Sequence, residues 1–346
     1  MTTLQEYLNS KYTSQEEKKC LATELNIEEI NREREKQGIN EKLEGGELDL
    51  EEYGSLVRIK ICGLHLKTPL MKLELGQKKY LTRIIFCHNQ LTNLDLYGCP
   101  NLTELDGSNN RLSSIDLSKQ KQLAKICLVE NQITSIDFLK VVPIPEKLEV
   151  LEIYNNNIQS TTLDFLRSFV NLKDCKLGLN SLNKDYPCRI EENFYNRFYG
   201  SLEPIKNLTK LEEFCIAGTD VEEGIEYIPE LITSRSHEGV LEDSRINPNP
   251  SIPNSPNSSQ NQNEILANFF QNLLSKKNTL IKYKGKNNME RNLIDCQTLR
   301  PGAKVKKIQD ELRPFNYDIL AWQLAHPEKM RKVRPELFTN PNSKEQ

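Results

Sequence analysis

Nine cysteines and four histidines are the side chains of this chain best suited to chemistry. A thiolate can attack an electrophile, and thiolates with imidazoles can hold a metal, but both tasks need the groups gathered at short spacing. They are not gathered in the sequence. No C-x-x-C pair occurs, no Cys/His spacing suits zinc, and His65, His88, His237 and His326 are scattered. Asp95, Asp116 and Asp137 recur at one constant interval, which marks them as parts of a repeating unit and not as an acid/base pair. No G-x-x-x-x-G-K-[ST] or G-x-G-x-x-G stretch exists to cradle phosphate, and the H-R-D and D-F-G signatures of kinases are absent. The sequence therefore predicts no catalytic residue, no cofactor and no metal.

The elements that carry these residues are repeats. The skeleton L-x-x-L-x-L-x-x-N-x-L runs from Leu81 through Ile84, Phe86, Asn89 and Leu91. It runs again from Leu102 (Leu105, Gly107, Asn110, Leu112) and from Leu123 (Ile126, Leu128, Asn131, Ile133). Further copies start at Leu148 (Leu151, Ile153, Asn156, Ile158) and at Leu172 (Cys175, Leu177, Asn180, Leu182). Degenerate copies start at Leu56 (Ile59, Ile61, Leu64, Leu66) and at Leu211 (Phe214, Ile216, Thr219, Val221). The alternation L-x-L predicts a short strand with every second side chain inward. The asparagine turns the chain, and its carboxamide can satisfy backbone groups of the neighbouring coil. One coil cannot bury its own leucines, so the copies must stack.

These residues resemble a leucine-rich repeat protein over about 43–230, and the wording NNRLSSIDLS with FYGSLEPIKNLTKLEE is similar to a large group of fungal leucine-rich repeat proteins. The resemblance implies an α/β solenoid: a right-handed superhelix with a parallel strand face, a helical N-terminal cap and a small helical C-terminal tail. It also implies protein binding. Second short strands are expected at LTNLDL, LSSIDL and ITSIDF, and a helical back at TLDFLRSFVNL. Gly107 replaces an inward apolar residue, so a small void is expected beside it. Thr219 replaces the asparagine of a last, open turn.

The chain divides into a charged N-terminal cap (1–42), the solenoid (43–231), a Pro/Asn/Ser/Gln-rich linker (232–263) expected to be flexible, and a basic helical tail (264–346). Within the cap, SQEEKKCLATELNIEEINREREKQG reads as one helix started by Ser14, and ELDL at 47–50 as a partial first strand. NEILANFFQNLLSKK reads as an amphipathic helix docking on the last coil, with Trp322 anchoring further short helices. An extra segment at 183–200 interrupts the repeats and carries Tyr186, Phe194, Tyr195, Phe198 and Tyr199. The solenoid register does not require it, and its aromatics can cover the flank or anchor a partner.

Net charge is −3, but the segment 264–346 carries 16 Lys/Arg against 9 Asp/Glu. The lysines there lack interleaved aromatics, which argues against nucleic acid. No apolar run reaches the length of a membrane span, and the start lacks a signal-peptide core, so free thiols in the cytoplasm are expected. Function then falls to the outward strand positions, a mixed surface suited to a folded protein. The expected contact residues are Arg58, Arg83, Glu104, Asp106, Glu152, Tyr154 and Lys176, with Phe194, Tyr195, Phe198 and Tyr199 beside them. Outward cysteines count there as a small apolar contribution. The expectation is a non-enzymatic adaptor; the alternative is a recognition or regulatory subunit of a signalling, kinase or ubiquitin-ligase assembly docked through the tail.

Overall fold

Each L-x-L triplet forms a three-residue strand, and the strands stack in chain order. A computed structural model describes residues 2–14, 23–179, 193–229, 267–269, 300, 302–315 and 319–339. Eight parallel strands make one sheet: Glu24–Asn26, Arg58–Lys60, Arg83–Ile85, Glu104–Asp106, Lys125–Cys127, Val150–Glu152, Asp174–Lys176 and Glu213–Cys215. The register aligns the middle residues Leu25, Ile59, Ile84, Leu105, Ile126, Leu151, Cys175 and Phe214 in one inward column. All of them are buried, as are the coil-opening leucines from Leu56 to Leu211. Each such side chain contributes about 1.5–3 kcal/mol once its neighbours in both flanking coils are present. The fold is an α/β leucine-rich repeat solenoid.

An asparagine column holds the turns. The Oδ1 atoms of Asn89, Asn110, Asn131 and Asn156 accept the N–H groups of Leu70, Leu91, Leu112 and Ile133 at 2.8–3.0 Å. Each Nδ2 donates to a carbonyl of its own coil and to one of the coil before; for Asn131 these are Leu128 (3.3 Å) and Gly107 (2.9 Å). The residue before each asparagine (His88, Asn109, Glu130, Asn155) is left-handed, with φ between 54° and 56°. Thr219 closes the series more weakly, donating only to Ile216 of its own coil (2.8 Å), with Gly218 at φ 72° before it.

The fifth rung differs from expectation. Asn180, Leu182 and Tyr186 lie outside the described residues, and the rung is filled by Asn196. Its Oδ1 accepts from Ile158 N–H (3.1 Å), and its Nδ2 donates to Ile153 (2.9 Å) and Leu177 (2.7 Å). Phe198, two residues on, is fully buried and takes the inward place that Leu112 and Ile133 take after their own asparagines. The second half of the 183–200 segment is therefore coil structure, and the register does require it.

Other expectations need correction. Glu24–Asn26 is the first strand of the main sheet and not helix; the helix that follows, Ile27–Lys36, is capped by Asn26, which accepts from Glu28 N–H (3.2 Å). Gly46–Asp49 pairs instead with Leu70–Glu74 in a separate two-stranded sheet. LTNLDL, LSSIDL and ITSIDF form no second strands; Asp137–Lys140 is a short helix, and the segments are joined by single bonds such as Arg111 N–H to Leu91 O (2.9 Å). The helical back shrinks to a 3₁₀ turn at Asp164–Ser168. No void adjoins Gly107: a Cβ there would lie 2.6 Å from Cζ of Phe86, whose ring from the previous coil fills the space.

The tail packs on the last coil. Val305, Ile308, Leu312, Ile319 and Trp322 join the solenoid core. Arg300 donates from Nε to Gly218 O (3.0 Å), pairs with Asp220, and stacks 3.7 Å from the centroid of the Tyr195 ring. Arg334 donates to Ile228 O (2.8 Å). Of the expected 264–277 helix only residues 267–269 are described, and Phe269 stacks on Phe338 (4.4 Å) in a small cluster with Leu320, Met330 and Leu337. The 232–263 linker lies outside the described residues.

Candidate functional site

The outward positions of the eight strands form one charged face. Because successive strands stand about 4.8 Å apart, residues at equal positions in neighbouring coils meet side by side. Arg58 reaches Glu24 (3.7 Å) and Lys60 reaches Glu28 (2.9 Å), so the first strand and its helix supply counter-charges. Those carboxylates were hidden in the sequence, because the segment reads as a solvated helix. Glu104 then sits between Arg83 (2.7 Å) and Lys125 (3.5 Å). Asp106 accepts from Ser108 N–H (3.1 Å) at the end of its strand.

Around Lys176 the face turns acidic. Its ammonium lies 2.5 Å from Glu152, 2.5 Å from Asp174 and 3.3 Å from Glu213, with the lysine side chain 9% exposed. Burial would lower the Lys176 pKa, but hydrogen bonds to Asp174 and Glu152 hold it above its ordinary value. Burial pushes Asp174 up to about 6, aided by repulsion from Glu152 and Glu213 and only partly opposed by Lys176. Glu152, although buried, is held below the usual range by Lys176 and a hydrogen bond from Cys127 (3.5 Å). The shared cation has three carboxylate partners, while Asp174 has that one cation and leaves Oδ1 buried without a hydrogen bond. The arrangement fixes charge in place; a buried lysine among carboxylates supplies no nucleophile.

The structure brings Arg58, Arg83, Glu104, Asp106, Glu152 and Lys176 onto this face, with Tyr154 two positions beyond Glu152 on its coil. It does not bring the aromatic segment there. Phe198 is core, tilted against Phe165 at 5.7 Å, and its carbonyl accepts from Asp220 N–H (2.7 Å). Tyr195 is buried under Arg300, Phe194 is half-buried, and Tyr199 opens the strand Tyr199–Ser201 that pairs with Asp220–Glu223. These residues flank the asparagine turn at Asn196, whereas the strand face precedes its own turn in each coil. Phe198 is therefore removed from the contact set because a partner cannot touch it.

Away from the face, an open cavity of about 460 Å³ lies between the helix Leu4–Lys11 and Gly46–Asp49, bounded by Gln5, Glu47, Asp49, Lys72 and Glu74. Among the described residues no three His, Cys, Asp or Glu side chains converge to hold a metal ion. No helix among them is long and apolar enough to cross a membrane.

The fold and face define the class: a leucine-rich repeat solenoid. No family model matches the chain, and no curated protein matches it. Solved structures share the coil architecture at low identity. Internalin InlC2 of Listeria monocytogenes is 15% identical with a TM-score of 0.42, the match covering 60% of this chain and 76% of that one. The functional domain of InlJ from Listeria monocytogenes is 21% identical with a TM-score of 0.39, covering 64% and 45%. The ectodomain of the plant receptor kinase GASSHO1/SCHENGEN3 from Arabidopsis thaliana is 22% identical with a TM-score of 0.38; the match spans 55% of this chain and 22% of that protein. The class stands on the chain's own strand register and asparagine column.

Proposed function

We propose that the chain is a non-enzymatic, cytoplasmic protein-binding platform that takes a folded partner on its strand face. The observation that carries this reading is the continuous outward band of eight paired strands, in which Arg58, Arg83, Lys125 and Glu213 keep 39–55% side-chain exposure. The band is asymmetric. Its first strands present Arg58, Lys60 and Arg83 against Glu24, and its later strands present Glu104, Asp106, Glu152, Asp174 and Glu213 against two lysines. Such alternation favours a partner of complementary charge order and disfavours a uniform polyanion. An odd number of cysteines supports a reducing compartment, and the repeat wording similar to fungal leucine-rich repeat proteins supports a role in binding. The contact set is Arg58, Arg83, Glu104, Asp106, Glu152 and Tyr154, with the buried Lys176 holding Glu152 and Asp174 in place beneath it. The helices Val305–Leu312 and Ile319–Ala325 pack into the solenoid core, which favours the platform over a subunit that docks through its tail.

The test uses the full chain. Proteins copurifying with the wild type are compared with those retained by Arg83→Gln/Lys125→Gln and by Glu213→Gln, which remove charge outside the core without setting like charges against Glu104 or Lys176. Rim charges of this kind act chiefly on association, so retention should fall about tenfold or more and the residual binding should be strongly salt-dependent, with unchanged melting temperature. Undiminished retention by both variants refutes the strand face as the binding surface.

A further inference from the structure

Cys62 and Cys87 belong to successive coils and are neighbours in the fold. The parallel pairing of Arg58–Lys60 with Arg83–Ile85 continues past the strand ends, with Ile61 N–H bonded to Ile85 O (2.8 Å) and Gly63 N–H to Cys87 O (2.9 Å). Ile61 and Phe86 point into the core on either side, so Cys62 and Cys87 both point outward at the same level of the face. At that level the two thiols are near enough to influence each other's ionisation. Strand spacing of about 4.8 Å lies within the Cα separations that a disulfide spans, about 4.4–6.8 Å. Neither cysteine is bonded to another, Cys62 is nearly covered, and Cys87 is partly open to solvent.

We propose that Cys62 and Cys87 form a dithiol modification site that a hydroperoxide converts to an intramolecular disulfide across the coils that open at Leu56 and Leu81. The two thiols are not equivalent. Interaction with the Cys87 side chain favours the Cys62 thiolate, against burial and with smaller help from Leu64 N–H, His88 and His65. The same pairing, with burial and the nearby Asp106, pushes Cys87 up. Cys62 is therefore the attacking sulfur and Cys87 the resolving one. In the first step Cys62 S⁻ attacks one oxygen of the hydroperoxide, the O–O bond breaks, and the leaving oxygen is protonated to water or an alcohol. This leaves a sulfenic acid on Cys62. In the second, the Cys87 sulfur attacks the Cys62 sulfur, the S–O bond breaks, and the departing hydroxyl leaves as water with the Cys87 proton. The two sulfurs together lose two electrons, and the peroxide gains them.

Three of the other described thiols do not compete. Burial pushes Cys99 up to about 11 and raises Cys127 and Cys175 further. The oxidation requires no partner on the strand face, although the two thiols lie on that face beside Arg58 and Arg83. The site also differs from a metal centre, since among the described residues no third ligand converges on the pair.

The experiment exposes the reduced full chain to one equivalent of hydrogen peroxide, alkylates the remaining thiols, and maps the peptides by mass spectrometry. The expected result is a Cys62–Cys87 crosslink lighter by two hydrogens, with Cys62 in the untreated protein alkylated at least about tenfold faster than Cys99 or Cys127 at neutral pH. Cys87→Ser should stop at a dimedone-trappable sulfenic acid on Cys62, and Cys62→Ser should leave Cys87 reduced. Because a serine variant can fold poorly, the wild type is also treated with phenylarsine oxide, which bridges only adjacent thiols and should shield both cysteines from alkylation together. The inference is overturned if both cysteines stay freely alkylatable after peroxide, if the crosslink joins other cysteines, or if phenylarsine oxide shields neither.

Discussion

Replacing Asn131 with alanine tests the asparagine column at mid-stack. The change removes the acceptor of Leu112 N–H (3.0 Å) and the donor to Gly107, Leu128 and Val129 carbonyls at 2.9, 3.3 and 3.2 Å. The carbonyls retain partners: Gly107 O keeps Asn110 Nδ2 (3.1 Å), Leu128 O keeps Asn156 Nδ2 (2.8 Å), and Val129 O keeps Asn109 N–H (2.8 Å). The Leu112 amide keeps none, and its residue is fully buried. One orphaned buried donor costs about 1–3 kcal/mol, and the weakened carbonyls and lost packing bring the total to about 2–4 kcal/mol. At about 2–4 °C per kcal/mol for a domain of this size, the melting temperature should fall by roughly 5–15 °C. Amide hydrogen exchange localises the effect, since Leu112 should lose protection before amides two coils away. Asn196→Ala should cost a similar amount by orphaning Ile158 N–H. A change under about 1 kcal/mol with Leu112 still protected would refute the column, and a silent Asn196→Ala would refute the fifth rung.

Three further outcomes are open to direct measurement. Gly107→Ala should destabilise by about 1–3 kcal/mol in urea unfolding, because the added methyl meets the Phe86 ring; a neutral result would restore the void. Phe198→Ser should lower the melting temperature strongly, whereas Tyr199→Ser, at an exposed position, should not; equal effects would put Phe198 outside the core. Asp174 binds its proton near pH 6 when folded and nearer 4 when unfolded, so protonation favours the fold below about pH 4 and that favour is lost as pH rises through 6. The stability of the wild type relative to Asp174→Asn should therefore fall by on the order of 1–2 kcal/mol between pH 4 and 6.5, discounted for the solvent-facing edge of the carboxyl. A flat difference curve would show that Lys176 compensates Asp174 fully.

What the sequence disclosed and what it hid follow from one geometrical fact: in a solenoid the packing neighbours of a residue lie one coil length away. The inward columns were legible because Leu81, Leu102 and Leu123 repeat in type as well as in spacing. The rung at Asn196 was not, because N-S-L at 180 and N-R-F at 196 both satisfy Asn-x-apolar locally, and only the bonds to Ile153 and Ile158 choose between them. Gly107 looked like a gap within its own coil, but the filling ring belongs to the coil before. Glu24–Asn26 carries no alternating apolar signal, and its strand conformation is imposed by pairing with Arg58–Lys60, a partner well beyond any local window. Cys62 and Cys87 occupy the seventh position of copies that open at Leu56 and Leu81, so column alignment alone makes them neighbours, although as isolated cysteines they read as small apolar residues. Chemistry in such a chain is to be sought by reading down columns of equivalent positions. Among the described residues, the outer-face column that sets Cys62 beside Cys87 is also where one thiol lowers the pKa of the other.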